Sequence, residues 1–121
     1  MTEIKSTKQY DLEKRTLNFA KEVRVFIKNI PKIIANFEDA KQVIRSSGSI
    51  GANYIEANES LSKKDFLMRI KICRKEAKET AYFLRLLVET NDKQFAGQGN
   101  KLATEATEFK KMFSTIVTRS T

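Results

Sequence analysis

The scarcity of residues that break helices is the feature that most restricts what this chain can fold into. Its 121 residues include one proline and four glycines. A sheet protein of this length needs a turn about every 8–12 residues, and therefore more residues of these two types. A few long helices joined by short connectors are the simpler solution. The length fits one domain with a single hydrophobic core.

Four segments carry apolar residues at helical spacing, so each has one apolar face. The predicted helices span residues 11–29, 37–58, 63–90 and 101–117, with 91–100 as the clearest loop. Residues 1–10 are polar without a period and are predicted to form a flexible N-terminal arm. Residues 11–121 are predicted to form an all-α, antiparallel, up-down-up-down four-helix bundle.

Local signals support these boundaries. Asp11 is a suitable N-cap, Pro31 prevents the first helix from continuing, and Ser62 with an acid three residues on resembles a helix start. Gly48 and Gly51 lie inside helix two, whose apolar period continues across them, and they predict a close approach of another backbone or a bend. The predicted core residues include Phe19, Val23 and Phe26, then Ile50, Tyr54 and Ile55, then Cys73, Ala77 and Leu84, and finally Phe109 and Phe113.

The cellular compartment is predicted from what the sequence lacks. The first thirty residues alternate charged and apolar side chains, unlike a signal peptide. No stretch approaches the roughly 18 apolar residues of a membrane span. The single cysteine, Cys73, cannot form an internal disulfide. We therefore expect a cytoplasmic protein that has no membrane association.

The sequence contains few residues that are suited to catalysis or metal binding. The chain has no histidine, the commonest general base and a usual zinc ligand. Cys73 lies in an apolar stripe, where a buried structural thiol is expected more often than a nucleophile. Glu56, Glu76 and Glu79 are better explained as members of ion pairs than as a carboxylate cluster. The sequence predicts a non-enzymatic protein without a metal or another cofactor.

Positive charge is in excess and is concentrated on particular helix faces. The formal net charge is +8, which favours polyanionic partners. One quadrant of helix three collects Lys64, Lys71, Arg74, Lys75, Lys78 and Arg85 around Tyr82, and helix one carries a second stripe of Lys14, Lys21, Arg24 and Lys28. Basic residues beside an aromatic ring suit RNA or DNA binding without strong sequence preference. The alternatives are an ordinary solvated face, or an adaptor or scaffold that docks an acidic protein.

A second apolar patch lies outside the main stripes. Its members are Met68, Ile72, Phe83 and Leu86 on helix three and Val25 on helix one. Bulky apolar patches of this kind more often mark a subunit interface than idle surface. The pattern favours a homo-oligomer, and the alternative is that the core arc is simply wide.

Two segments resemble a known family. Residues 45–57 read RSSGSIGANYIEA, and residues 75–84 read KEAKETAYFL. They are similar to the Ser-Ile-x-Ala-Asn-Ile-Ala-Glu-Gly stretch and the Lys-Glu-Ala-x-Glu-x-x-Tyr-Trp-Leu stretch of the proteins encoded within intervening sequences of bacterial 23S rRNA genes. The first segment departs from that pattern at Tyr54, Ile55 and Ala57.

The resemblance implies an antiparallel four-helix bundle that assembles as a ring, commonly a pentamer. It also implies a relation to the accessory variability proteins of diversity-generating retroelements, which act beside a reverse transcriptase and bind nucleic acid through a basic surface. By position, Asn53, Glu56 and Glu79 match the recurrent polar residues of the family. We expect them to form hydrogen bonds between helices or between subunits, because buried polar groups must be paired.

Overall fold

Four α-helices make up the protein in the computed structural model, which describes the backbone of residues 2–121 and the side chains of residues 11–121. The helices are α1 (Thr2–Asn29), α2 (Ile34–Asn58), α3 (Lys63–Thr90) and α4 (Ala96–Ser120), and a 3₁₀ turn at Lys93–Phe95 precedes α4. No strand is present in the described residues. The predicted antiparallel bundle is confirmed.

The helices form a closed square. α3 packs extensively against both α2 and α4, while α1 packs against α2 and, less extensively, against α4. α1 and α3 therefore stand at opposite corners. Within none of the helices that the structure describes is there an apolar stretch long enough to cross a bilayer.

The core lies along the axis of this square and is rich in aromatic rings. Phe19, Phe26, Phe109 and Phe113 are fully buried. The rings of Phe19 and Phe109 meet edge to face with centroids 5.3 Å apart, a favoured geometry for an aromatic pair. The predicted core residues named above are buried apart from Ile55, which is 46% exposed on the outer side of α2. Others, such as Ile44, Phe66 and Val88, are partly buried.

Helix boundaries depart from the prediction in several places. α3 has the predicted bounds, and the Ser62 hydroxyl accepts a hydrogen bond from the backbone N–H of Asp65 at 3.1 Å. α1 begins before the predicted position near Asp11, and the predicted arm of residues 1–10 lies outside the residues whose side chains are described. α2 begins at Ile34, because the Phe37 N–H bonds to the Ile33 carbonyl at 2.9 Å and closes a first turn.

The predicted loop 91–100 is wrong in its second half, which is the first turn of α4. Gly99 is buried there, and a Cβ atom at this position would overlap Cγ2 of Val88 and lie 3.1 Å from Cζ of Phe26. Its role is close packing and not chain reversal, since no glycine in the described residues has a positive φ. Gly51 likewise allows α1 and α2 to pack closely, because a Cβ atom at this position would lie 2.8 Å from Oγ1 of Thr16.

Candidate nucleic-acid interface

The predicted basic residues of α3 form one continuous outer face. Lys64, Lys71, Lys75, Lys78 and Arg85 are exposed and Arg74 is partly exposed; with Tyr82, these residues are called the α3 basic stripe. With 1.5 Å of rise per residue, Lys64 and Arg85 are about 32 Å apart along the helix axis. Tyr82 lies one turn before Arg85, near the C-terminal end of the stripe, and is 60% exposed. Its ring is therefore available for stacking.

Few carboxylates compensate this charge. Arg85 pairs with Glu89 at 3.1 Å in an exposed i,i+4 contact. Among the described residues, none of the other five cations has a carboxylate oxygen within 4.0 Å. The stripe is thus a row of cations that are free to bind anions.

Two acidic residues of α3, Glu76 and Glu79, point away from the stripe, toward α2. Glu76 is buried, and its carboxylate accepts a hydrogen bond from Arg45 of α2 at 3.2 Å. Arg45 also pairs with Glu79. Burial lowers the pKa of the Arg45 guanidinium, but its hydrogen bond to Glu79 and the charges of both carboxylates outweigh burial, so the pKa is raised. The two sides of α3 therefore differ in charge.

Further polar pairs continue this junction between α2 and α3. The Thr80 hydroxyl donates to the Ser46 hydroxyl at 2.7 Å, and Arg69 donates to the side-chain carbonyl of Asn53 at 3.0 Å. We call the set the polar seam; its members are Arg45, Ser46, Asn53, Arg69, Glu76, Glu79 and Thr80. Asn53 and Glu79 thus bond between helices of one chain. Glu56 is exposed, and its carboxylate has no hydrogen-bond or ion-pair partner among the described residues.

Only two members of the polar seam, Asn53 and Glu79, were predicted as site residues from the sequence. The five others are Arg45, Ser46, Arg69, Glu76 and Thr80. Arg45 is the first residue of segment 45–57, which resembles the family, so its position could have marked it as a candidate site residue. Arg69 and Thr80 lie on the core side of α3, where side chains at helical spacing with Glu76 face α2. A search of α3 for polar residues on its apolar side could have found both.

The second predicted stripe lies on the opposite side of the bundle. Lys14, Lys21 and Lys28 are exposed on α1. Arg24 folds back toward α2 and donates to the Ala20 carbonyl at 3.0 Å and to the Ile44 carbonyl at 3.4 Å. Since α1 and α3 occupy opposite corners, the two stripes do not form one surface.

The predicted interface residues also separate into two places. Met68 is 50% exposed, and Ile72, Phe83 and Leu86 are partly buried on the flank of α3 next to the polar seam. Phe83 packs against the core and meets Tyr82 edge to face at 5.2 Å. Val25 is 51% exposed on α1, away from the other four.

Cys73 is buried at the centre of α3. Burial raises the pKa of its thiol to about 12, and the thiol donates to the Ile50 carbonyl at 3.5 Å. A thiol with this pKa carries little thiolate at neutral pH. In the described part of the chain, no group of three or more histidine, cysteine, aspartate or glutamate residues is arranged to hold a metal ion.

Comparison with known proteins identifies a family and a similar solved structure. Residues 8–115 match the family model described as 23S rRNA-intervening sequence protein. The fold is similar to the crystal structure of a protein with unknown function from the S23 ribosomal protein family of Bacteroides thetaiotaomicron. The two chains are 33% identical, the match covers 87% of this chain and 96% of the other, and the TM-score is 0.73. The search of curated proteins gave no match.

Proposed function

The chain belongs to the 23S rRNA-intervening sequence protein family, and on that premise we propose that it is a non-enzymatic protein that binds RNA or DNA through the α3 basic stripe. The observation that carries the proposal is the separation of charge on α3. Its inward carboxylates are held by Arg45, while five outward cations have no described carboxylate within 4.0 Å. Phosphate binding would neutralise charge that the fold leaves uncompensated.

The shape of the stripe supports a polynucleotide as the ligand. Its length of about 32 Å is close to one turn of a nucleic-acid duplex, about 34 Å. A small anion would contact one or two cations only. The exposed ring of Tyr82 adds a stacking surface, which acts on every base and gives no sequence preference. The proposal is therefore electrostatic binding to the backbone, with stacking where a strand is open.

The salt dependence of binding tests this proposal. The protein is titrated into a short fluorescein-labelled RNA, the corresponding single-stranded DNA and an RNA–DNA duplex, and anisotropy is followed across a potassium chloride series. Contact with five or six phosphates gives a log–log slope of about −5 on a duplex and a shallower one on single strands. Absence of binding at low salt would refute the proposal.

Matched variants locate the surface. Lys75→Gln combined with Lys78→Gln removes two cations of the stripe and is expected to reduce the slope by about 2. Lys93→Gln combined with Lys101→Gln removes the same charge at the α3–α4 connector and is the control. Lys14→Gln combined with Lys21→Gln reports on the second stripe. If all three pairs weaken binding equally, net charge and not the α3 surface explains it.

We further propose that the protein is a homo-oligomer, and that the flank of α3 formed by Met68, Ile72, Phe83 and Leu86 contributes to the interface. Met68 is the most exposed of the four, so Met68→Glu should disturb an interface without disturbing the core. Light scattering at micromolar concentration is expected to give a multiple of the 13.9 kDa chain mass and a lower mass for this variant. A monomeric mass for the unmodified protein would contradict the proposal.

The same titrations separate the adaptor alternative, since an adaptor for an acidic protein is expected to bind phosphate backbones only weakly at moderate salt and equally through any basic face. Because the sequence resembles retroelement accessory proteins, we also propose a nucleic-acid enzyme such as a reverse transcriptase as a partner. An RNA–DNA duplex is among the probes for this reason.

A further inference from the structure

A second surface, unrelated to the α3 basic stripe, lies where α1 ends and α2 begins. The two helices and their connector enclose a groove of about 340 Å³. Ile27 and Ile30 line it from α1, and Phe37, Ala40 and Ile44 line it from α2. Phe37 is 61% exposed at its edge, and the neighbouring Ile34 is 85% exposed. Large apolar side chains in this number are rarely left exposed on a monomer without a partner.

The rim of this groove is positively charged on both sides. Lys28 and Lys32 line it on the α1 side and Lys41 lines it on the α2 side, and no carboxylate is among the lining residues. The ammonium group of Lys41 lies 4.9 Å from the centre of the Phe37 ring, so charge and apolar surface are adjacent. Lys41 also pairs with Glu38 at 3.5 Å, but this contact is exposed and contributes little stability.

From these observations we propose that the groove binds an acidic amphipathic helix of another protein. The groove runs along α2 from Asn36 to Ile44, about 12 Å or two helical turns. A partner helix places apolar residues at i, i+3 or i+4, and i+7 against Ile27, Ala40 and Ile44, a common mode of peptide recognition. Glutamate or aspartate on both sides of its apolar stripe meets the three lysines. The rim then selects the partner by charge.

Charge also disfavours the other occupants. A second copy that presented its basic α1 or α3 face would place like charges against the lysine rim. A nucleic acid could neutralise the lysines, but its phosphates gain nothing from an aliphatic floor built by Ile27, Ala40 and Ile44. An acidic helix with an apolar stripe satisfies both the floor and the rim.

The test uses a synthetic probe, a fluorescein-labelled peptide of about 15 residues, long enough for four turns. It carries leucine and phenylalanine at the spacing above and glutamate on both flanks. One control peptide has lysine in place of every glutamate, and another has the same composition in scrambled order. The acidic peptide is expected to bind at least about tenfold more tightly than either control.

Variants of the full chain place the peptide in the groove. Phe37→Ala and Lys32→Glu are each expected to weaken binding by about tenfold, and both residues are exposed, so circular dichroism should show an unchanged fold. Leu61→Ala, at a 99% exposed apolar residue outside the groove, is the matched control and leaves binding unchanged. Lys75→Gln combined with Lys78→Gln also leaves it unchanged, which separates this surface from the nucleic-acid stripe.

Several results would overturn the proposal. Equal binding of the acidic and lysine peptides, or equal binding by the Phe37→Ala and Leu61→Ala variants, would refute it. Loss of peptide binding in the Lys75 and Lys78 variant would assign the peptide to α3. A lower mass of the Phe37→Ala variant in light scattering would show that a second copy occupies the groove.

Discussion

The side-chain amides of Asn36 and Asn91 donate to each other's carbonyl oxygens, both at 2.8 Å. Asn36 lies in the first turn of α2 and Asn91 directly follows α3, so this pair joins the start of α2 to the connector after α3. Asn36 also donates to the Pro31 carbonyl at 3.0 Å, and Asn91 donates to the Leu87 carbonyl at 2.8 Å. All four side-chain hydrogen bonds stay within one chain.

Replacement of Asn36 by alanine is expected to lower the free energy of unfolding by about 1–3 kcal/mol, because Asn36 is buried and its removal leaves partners unpaired. Urea denaturation followed by circular dichroism measures the change. Asn18→Ala, at an exposed position of α1, is the control and should stay within about 0.5 kcal/mol of the unmodified protein. Equal effects of the two substitutions would contradict a structural role for the amide pair.

Two glycines of α4 should respond oppositely to alanine. Gly99→Ala places a methyl group against Val88 and Phe26 and is expected to cost about 1–3 kcal/mol. Gly97 has no atom within 4 Å of a Cβ, so Gly97→Ala is expected to be neutral or to stabilise by up to about 1 kcal/mol. Thermal melting of both variants compares them directly. A stabilising Gly99→Ala would show that the close packing is absent in solution.

Arg45→Met is expected to destabilise the fold by about 1–3 kcal/mol, because it leaves the buried Glu76 and its neighbour Glu79 without their cation. The half-exposed position of Arg45 keeps the cost below that of a fully buried pair. Adding Glu76→Gln should recover part of the loss in a double-mutant cycle. Arg85→Met, which breaks only the exposed pair with Glu89, is the control. A similar loss in that variant would rule out a special contribution of the polar seam.

Stability should fall at alkaline pH through Cys73. Burial raises the pKa of this thiol from 9.0 to about 12, so between these values the unfolded chain holds fewer protons than the folded one. The free energy of unfolding therefore decreases as pH rises from about 9 to about 12. Burial also raises the pKa of Tyr54, which acts in the same direction. Cys73→Ala is expected to have a shallower pH slope than the unmodified protein; parallel curves would contradict the thiol contribution.

The helices were predictable where the determining interactions are local. Ser62 caps α3 through Asp65 three residues away, and the sequence shows such a cap directly. Gly99 was predicted to lie in a loop. A glycine is required there because a Cβ atom would be too close to Phe26, and this contact is far away in sequence. Ile55 shares the period of the α2 core residues but falls at the edge of the arc, on the outer side next to α1.

The candidate site was likewise predictable only where local sequence determines it. Helical geometry places the six cations of α3 on one helix face, and in the structure five of them are exposed and Arg74 is partly exposed. The pairing of Asn36 with Asn91, 55 residues apart, cannot be predicted from the residues around either position. The separation of Val25 from Met68 depends on which helices are neighbours in the square, and amphipathic periodicity does not specify that order.

The two-sided character of α3 has a consequence for how such proteins diversify. Cys73, Glu76 and Thr80 help to hold α3 in place. Their hydrogen bonds and ion pairs do not involve the outward lysines. Substitutions at Lys71, Lys75 or Lys78 can therefore accumulate, or reverse the sign of that face, at little cost in folding. The charge of the proposed binding face can in this way change while the core is retained.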